Sequence, residues 1–146
     1  MISKILVPTD GSIAAQKAAK YAVDLAKQLK ASVIVLSVID MRSFMGHTVP
    51  AMGDTVPAGK TSLSEAAKGY AEEIKKLCDK NGVRSKTVIT AGHPVEDIVK
   101  EAERAKVSLI IMGSHGRSAL AAMVLGSVTY GVIHNDTKIP VTVVKG

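Results

Sequence analysis

Val107-Ser108-Leu109-Ile110-Ile111-Met112, followed directly by Gly113-Ser114-His115-Gly116 and, nine residues later, by Gly126-Ser127, is the stretch that decides the fold. The apolar run reads as a buried strand, the most hydrophobic of the chain and expected near the middle of a sheet. A buried strand that ends in a glycine turn and runs on to the backbone amides of a helix start can hold a phosphate chain. The pattern points to a nucleotide.

Outward from this stretch the chain alternates short β-branched runs with longer helical patterns. Ile2 to Val7 is a first strand, and Ile13 to Leu29 is a helix with Ala14, Ala18, Tyr21, Ala22, Leu25, Ala26 and Leu29 on one stripe. Ala31 to Ile39 is a second strand, apolar on both faces and so expected to be covered on both sides. Leu63, Ala67, Tyr70, Ala71, Ile74 and Leu77 recur at helical spacing until Asn81-Gly82 supplies a stop. Ser85 to Thr90 is a partly polar strand suited to a sheet edge, and His93-Pro94 opens a helix whose apolar face is Val95, Ile98, Val99 and Ala102. Ser118 to Ile133 reads as a short helical turn and then a helix from Gly126 to about Asn135, before a last strand from Ile139 to Val144.

The order βαβαβαβαβ implies an α/β fold, an open five-stranded parallel sheet with right-handed crossovers and helices on both faces. With strand order 3-2-1-4-5 the winding reverses between the first and fourth strands, and a crevice opens beyond their carboxyl ends. Pro8-Thr9-Asp10 and Gly113 to Gly116 both emerge there. Topology alone brings together two segments about a hundred residues apart.

The spacing G-x2-G-x9-G-[ST] from Gly113 to Ser127 resembles the ATP-binding branch of the universal stress protein family. Pro8-Thr9-Asp10, Ser37-Val38-Ile39-Asp40 and the closing Ile139-Pro140-Val141-Thr142-Val143-Val144 are similar to that family too, and only about Arg42 to Lys60 falls outside the resemblance. The resemblance implies one Rossmann-like domain over residues 1–146, of the adenine nucleotide alpha hydrolase-like type. It also implies ATP, or AMP or ADP, as ligand with Mg2+ or Mn2+, and a homodimer that responds to stress or energy state.

By residue type, Gly113 and Gly116 permit a close backbone approach, with Ser114 and His115 between them. Gly126, Ser127 and Val128 offer amides at a helix N-terminus, Ser127 adds a hydroxyl, and Thr129 offers a second one. These residues are assigned to the phosphates; the competing reading is that the glycines only make turns. His115 contributes either its ring or only its backbone, and Arg117 is either a phosphate clamp or a solvated cation. Asp10 either accepts from ribose hydroxyls, holds a divalent metal, or caps the turn Asp10-Gly11-Ser12. The resemblance implies that Pro8, Thr9, Val38 and Met112 form an apolar slot for adenine with the Val38 backbone reading the base edge; strand-end packing is the alternative. Asp40 is read as a turn residue.

The remaining features mostly exclude. The net charge of +6 is spread through mixed-sign helical segments with no aromatic ladder, which argues against a nucleic-acid partner. No apolar stretch approaches the roughly 20 residues that span a bilayer, and the N-terminus runs straight into a strand, so a cytoplasmic protein is expected. Cys78 is alone and excludes an intrachain disulfide. Gly53 and Gly59-Lys60-Thr61 imitate a P-loop, but five residues separate the glycines where four are required. Residues 42–60 are instead expected to be a variable, mobile excursion, a lid or plain disorder, with Met41, Met45 and Met52 available for adaptable contacts. No side-chain grouping proposes a catalytic residue. The expected function is a nucleotide-dependent regulator or sensor with slow or partner-dependent ATP hydrolysis at most. An ATPase with genuine turnover and a dimeric interaction module indifferent to nucleotide are the alternatives. The edge strand Ile139 to Val144 is the expected dimer contact.

Overall fold

The structure, a computed structural model, describes residues 1–42, 58–116 and 125–146, with residues 58–61 described by backbone alone. Five strands, β1 (Lys4–Pro8), β2 (Ser32–Asp40), β3 (Ser85–Gly92), β4 (Leu109–Gly113) and β5 (Val141–Val144), form one sheet in the order β3-β2-β1-β4-β5. Every neighbouring pair is parallel. The helices are α1 (Ile13–Leu29), α2 (Ala58–Lys80), α3 (Pro94–Arg104) and α4 (Ser127–Ile133).

Alternate strand residues feed two separate cores, because successive side chains leave opposite faces of a strand. Ile5, Val7, Val33, Val35, Leu109 and Ile111 pack with the buried faces of α1 and α2. Leu6, Ile34, Leu36, Ile110 and Met112 pack on the other face with Ile98, Val99 and Ala102 of α3 and Val132 of α4. The sheet is therefore covered on both sides, as the apolar continuity of β2 predicts.

Local signals set the element ends. The Ser12 hydroxyl accepts from the Ala15 amide at 3.1 Å and caps α1, while Lys30 in the left-handed region (φ 56°) ends it. Gly82, at φ 70°, supplies the reversal after α2. Pro94 opens α3, and Glu96 and Asp97 in its first turn suit the positive helix end. On α3, Glu101 is buried, and the Arg104 guanidinium at 2.5 Å holds its carboxyl below the ordinary value. Cys78 is wholly buried, and burial pushes its thiol up. No described helix is long and apolar enough to cross a membrane.

Two expectations about helices need correction. The buried face of α1 is Ala14, Ala15, Ala18, Ala19, Ala22, Val23 and Ala26, while Tyr21 and Leu29 are nearly half exposed. At 100° per residue this face lies about 50° round from the expected stripe, so that small alanines rest on the sheet and Tyr21 falls at its margin. Helix α2 begins at Ala58, ahead of the apolar stripe at Leu63, and Gly59-Lys60-Thr61 lie within it. The P-loop imitation is thus helix, while Gly53 and the expected lid contacts at Met45 and Met52 lie outside the described residues.

Register positions the crevice. The ladder between β1 and β2 runs from Lys4↔Ser32 to Pro8↔Leu36, whereas that between β1 and β4 covers only Ile5↔Leu109 and Leu6↔Ile110. Strand β2 continues beside β3 to Asp40↔Gly92, four residues past the end of β1. A gap thus opens between β1 and β4, and β2 overshoots it as a side wall. β4 is an interior strand but not the middle one, a place that β1 takes.

Candidate functional site

A cavity of about 730 Å³ occupies this gap. Its floor is Pro8 and Leu36, and from the sheet face it gathers Val38 and Met112 with Pro94 and Ile98 of α3. Thr9 and Asp10 enter from the end of β1; Gly113, His115 and Gly116 from β4; Leu125 to Tyr130 from the start of α4; and Asp40 and Arg42 from the end of β2.

The glycine end is assembled by close approach. A Cβ on Gly113 would lie 2.9 Å from the Ala14 carbonyl carbon and oxygen, so the end of β4 sits directly on the first turn of α1. A Cβ on Gly126 would lie 2.9 Å from the His115 Cα, and one on Gly116 would lie 2.5 Å from the Asp10 Oδ2. Hydrogen bonds fasten these pieces. The Gly126 amide donates to the Ser114 carbonyl at 2.7 Å, and the buried Thr129 hydroxyl donates to the Gly113 carbonyl at 2.8 Å.

These bonds revise two assignments. The Gly126 amide and the Thr129 hydroxyl proton, both expected to face phosphates, instead sew the start of α4 to the glycine turn. The amides of Ser127, Val128 and Thr129 precede the first helical bond, from Tyr130 to Gly126, and so have no intrahelical acceptor. Ser114 does not line the cavity: its amide donates to the Val144 carbonyl at 3.1 Å, and its hydroxyl lies 3.0 Å from the His115 Nδ1. The Gly146 amide donates to that hydroxyl at 3.4 Å. Arg117 lies outside the described residues.

Asp10 caps the turn and also faces the cavity. Its Oδ1 accepts from the Ser12 amide at 2.9 Å, closing the turn into α1, and its carboxylate also borders the cavity opposite Gly116. Gly11 takes φ 78° with its amide on the Thr9 hydroxyl at 3.2 Å, and the Tyr70 ring from α2 packs where a Cβ would be. Thr9 is itself buried, its amide bonded to the Leu36 carbonyl at 2.8 Å. A turn so held keeps its carboxylate in place.

Asp40, read from sequence as a turn residue, ends β2 and lines the cavity with Arg42. The Asp40 Oδ1 accepts from the Arg42 amide at 2.9 Å and from Nε at 3.0 Å; Oδ2 accepts from Nη2 at 2.7 Å and from Nε at 3.2 Å. The guanidinium holds the Asp40 carboxyl below its ordinary value. No sequence signal marked this pair, because its place depends on how far β2 overshoots β1. Pro94, Ile98, Leu125 and Tyr130 were missed for a like reason; the residue types are ordinary, and only the fold brings them to one rim.

Comparison with known proteins agrees with this geometry. A family model described as the universal stress protein family matches residues 1–145. Universal stress protein MJ0577 of Methanocaldococcus jannaschii is 43% identical over 157 residues, which cover 99% of this chain and 96% of that protein. The solved structure of MJ0577 aligns with a TM-score of 0.82 at 39% identity, over 100% of this chain and 97% of that one. A universal stress protein solved in complex with cAMP aligns with a TM-score of 0.71 at 24% identity, over 97% of this chain and 96% of that one, a likeness of fold.

Proposed function

The chain belongs to the universal stress protein family, and from that premise we propose that its cleft binds an adenine nucleotide and that the protein is a nucleotide-dependent regulator or sensor in stress response. The observation that carries this reading is the convergence of Pro8-Thr9-Asp10, of Gly113, His115 and Gly116, and of Gly126 to Thr129 on one cavity of about 730 Å³. That volume is in the range of small-molecule sites, and its apolar slot beside a backbone-rich glycine turn suits a base joined to phosphates.

In this reading the phosphates lie along Gly113, His115 and Gly116 against the Ser127 and Val128 amides and the Ser127 hydroxyl. Adenine occupies the slot of Pro8, Thr9, Val38 and Met112, with the Val38 backbone at the base edge. Asp10 meets the ribose hydroxyls or a Mg2+ or Mn2+ ion carried by the phosphates; a single carboxylate suits such an ion, which keeps most of its shell as water and phosphate oxygen. Hydrolysis, where it occurs, is slow or depends on a partner, since positioning of the attacking water is the larger part of phosphoryl transfer. The chain acts as one domain, residues 1–146, in the cytoplasm. It pairs with its copy along β5, a partly exposed apolar edge of the sheet.

The test is calorimetric titration of ATP, with and without magnesium, into nucleotide-free wild type and Gly116→Val. The added side chain must displace the Asp10 carboxylate and enter the phosphate path. Magnesium-assisted binding in wild type and a loss of roughly tenfold or more in the variant are expected. A well-folded wild type that takes up no ATP would leave the interaction-module reading as the better account.

A further inference from the structure

We infer that Arg42, held flat by Asp40, is a specificity-determining residue that lays its guanidinium plane against the base of the bound nucleotide; the inference rests on the nucleotide reading above. Leu36, Val38 and Asp40 share one face of β2, since strand side chains alternate. Leu36 pairs with the last residue of β1, so Asp40 stands roughly 13 Å beyond it at about 3.3 Å per residue. The pair therefore rises beside the apolar slot, on the side of β1 away from the glycine turn on β4.

Three guanidinium contacts to one carboxylate, beside a fourth from the Arg42 backbone amide, fix the guanidinium and neutralise much of its charge. An arginine so engaged is a weak clamp for phosphate, yet its plane is preorganised for stacking on an aromatic ring. Lysine offers neither plane nor fork, and a purine offers more face than a pyrimidine. Arg42 thus favours purine nucleotides through its shape, with Asp40 as its positioning residue.

Dissociation constants for ATP, by titration, and for UTP, by displacement, are measured on wild type, Arg42→Ala, Arg42→Lys and Asp40→Asn. Arg42→Ala and Arg42→Lys should each weaken ATP roughly five- to tenfold and UTP by distinctly less, as expected when a planar stacking surface is lost. Asp40→Asn should fall between these variants and wild type. Equal losses for ATP and UTP would make Arg42 a phosphate contact, recovery by lysine would make it a point charge, and unchanged ATP affinity would remove it from the site; each result overturns the inference while nucleotide binding stands. A wild type that binds neither nucleotide overturns both readings. The pair is exposed enough that thermal melts of all three variants should stay close to wild type.

Discussion

The two ends of the cleft are built from different materials. Around Gly113, Gly116 and Gly126 the surface is mostly backbone, packed so closely that a single added carbon meets Ala14, Asp10 or His115. At the β2 end it is side chain, with Leu36 and Val38 below an Asp40–Arg42 pair on a strand that outruns its neighbour. A surface made of backbone tolerates little change and is fixed before any ligand arrives. One made of side chains can be retuned without disturbing the fold, which makes it the natural place for selectivity.

Substitutions probe this contrast in graded steps. The largest effect is expected for Gly113→Val, whose Cβ would press on the Ala14 backbone at 2.9 Å, where no side chain can give way. A loss of about 3 kcal/mol in urea unfolding is expected from overpacking, and a near-native midpoint would show that the glycine end yields after all. Thr129→Val removes the donor from the buried Gly113 carbonyl and should cost about 2 kcal/mol in the same experiment.

Gly126→Ala keeps an ordinary backbone conformation at φ −62° but forces α4 off the His115 backbone. ATP affinity should drop about tenfold, and an unchanged titration would mean that the ligand does not use this end. At the β2 end the effects on stability are small. The folded Asp40 carboxyl is held below its ordinary 3.8, so the unfolded chain takes up that proton first as pH falls. The stabilisation is therefore present above pH 3.8 and is lost as pH falls through the lowered value. Asp40→Ala should cost no more than about 0.5 kcal/mol at neutral pH and nothing in strong acid; a larger, pH-independent loss would assign the pair a packing role.

The same contrast explains what could be read from sequence. Glycines at fixed spacing report a demand of the backbone, so Gly113, Gly116 and Gly126 were visible; the alternation of strand and helix patterns implied a parallel sheet, and the order 3-2-1-4-5 supposed for it is the one found. Asp40-Met41-Arg42 carries no such signature, and its place follows from registers that only three dimensions supply. Hydrogen-bond direction was equally hidden. Nothing in the order of residues says that the Gly126 amide turns to Ser114 and the Thr129 hydroxyl to Gly113. Tyr21 and Leu29 misled because helical spacing identifies a stripe but not the rotation that sets it on the sheet. The early start of α2 escaped because Ala58 to Ser62 carries no apolar period, and extending an existing helix requires none.

The short ladder joining β1 to β4 also bears on how the protein gains and loses its structure. Strands β1 and β2 meet across a single intervening helix, while the pairing of Leu6 with Ile110 must close a loop on the order of a hundred residues. Contacts that distant in sequence are entropically costly to establish early, so the seam under the cleft belongs to the late part of folding. A ligand that bridges the seam would then act on the rate of opening much more than on the rate of closing, and saturating nucleotide would lengthen the lifetime of the native state while leaving refolding nearly as fast as before.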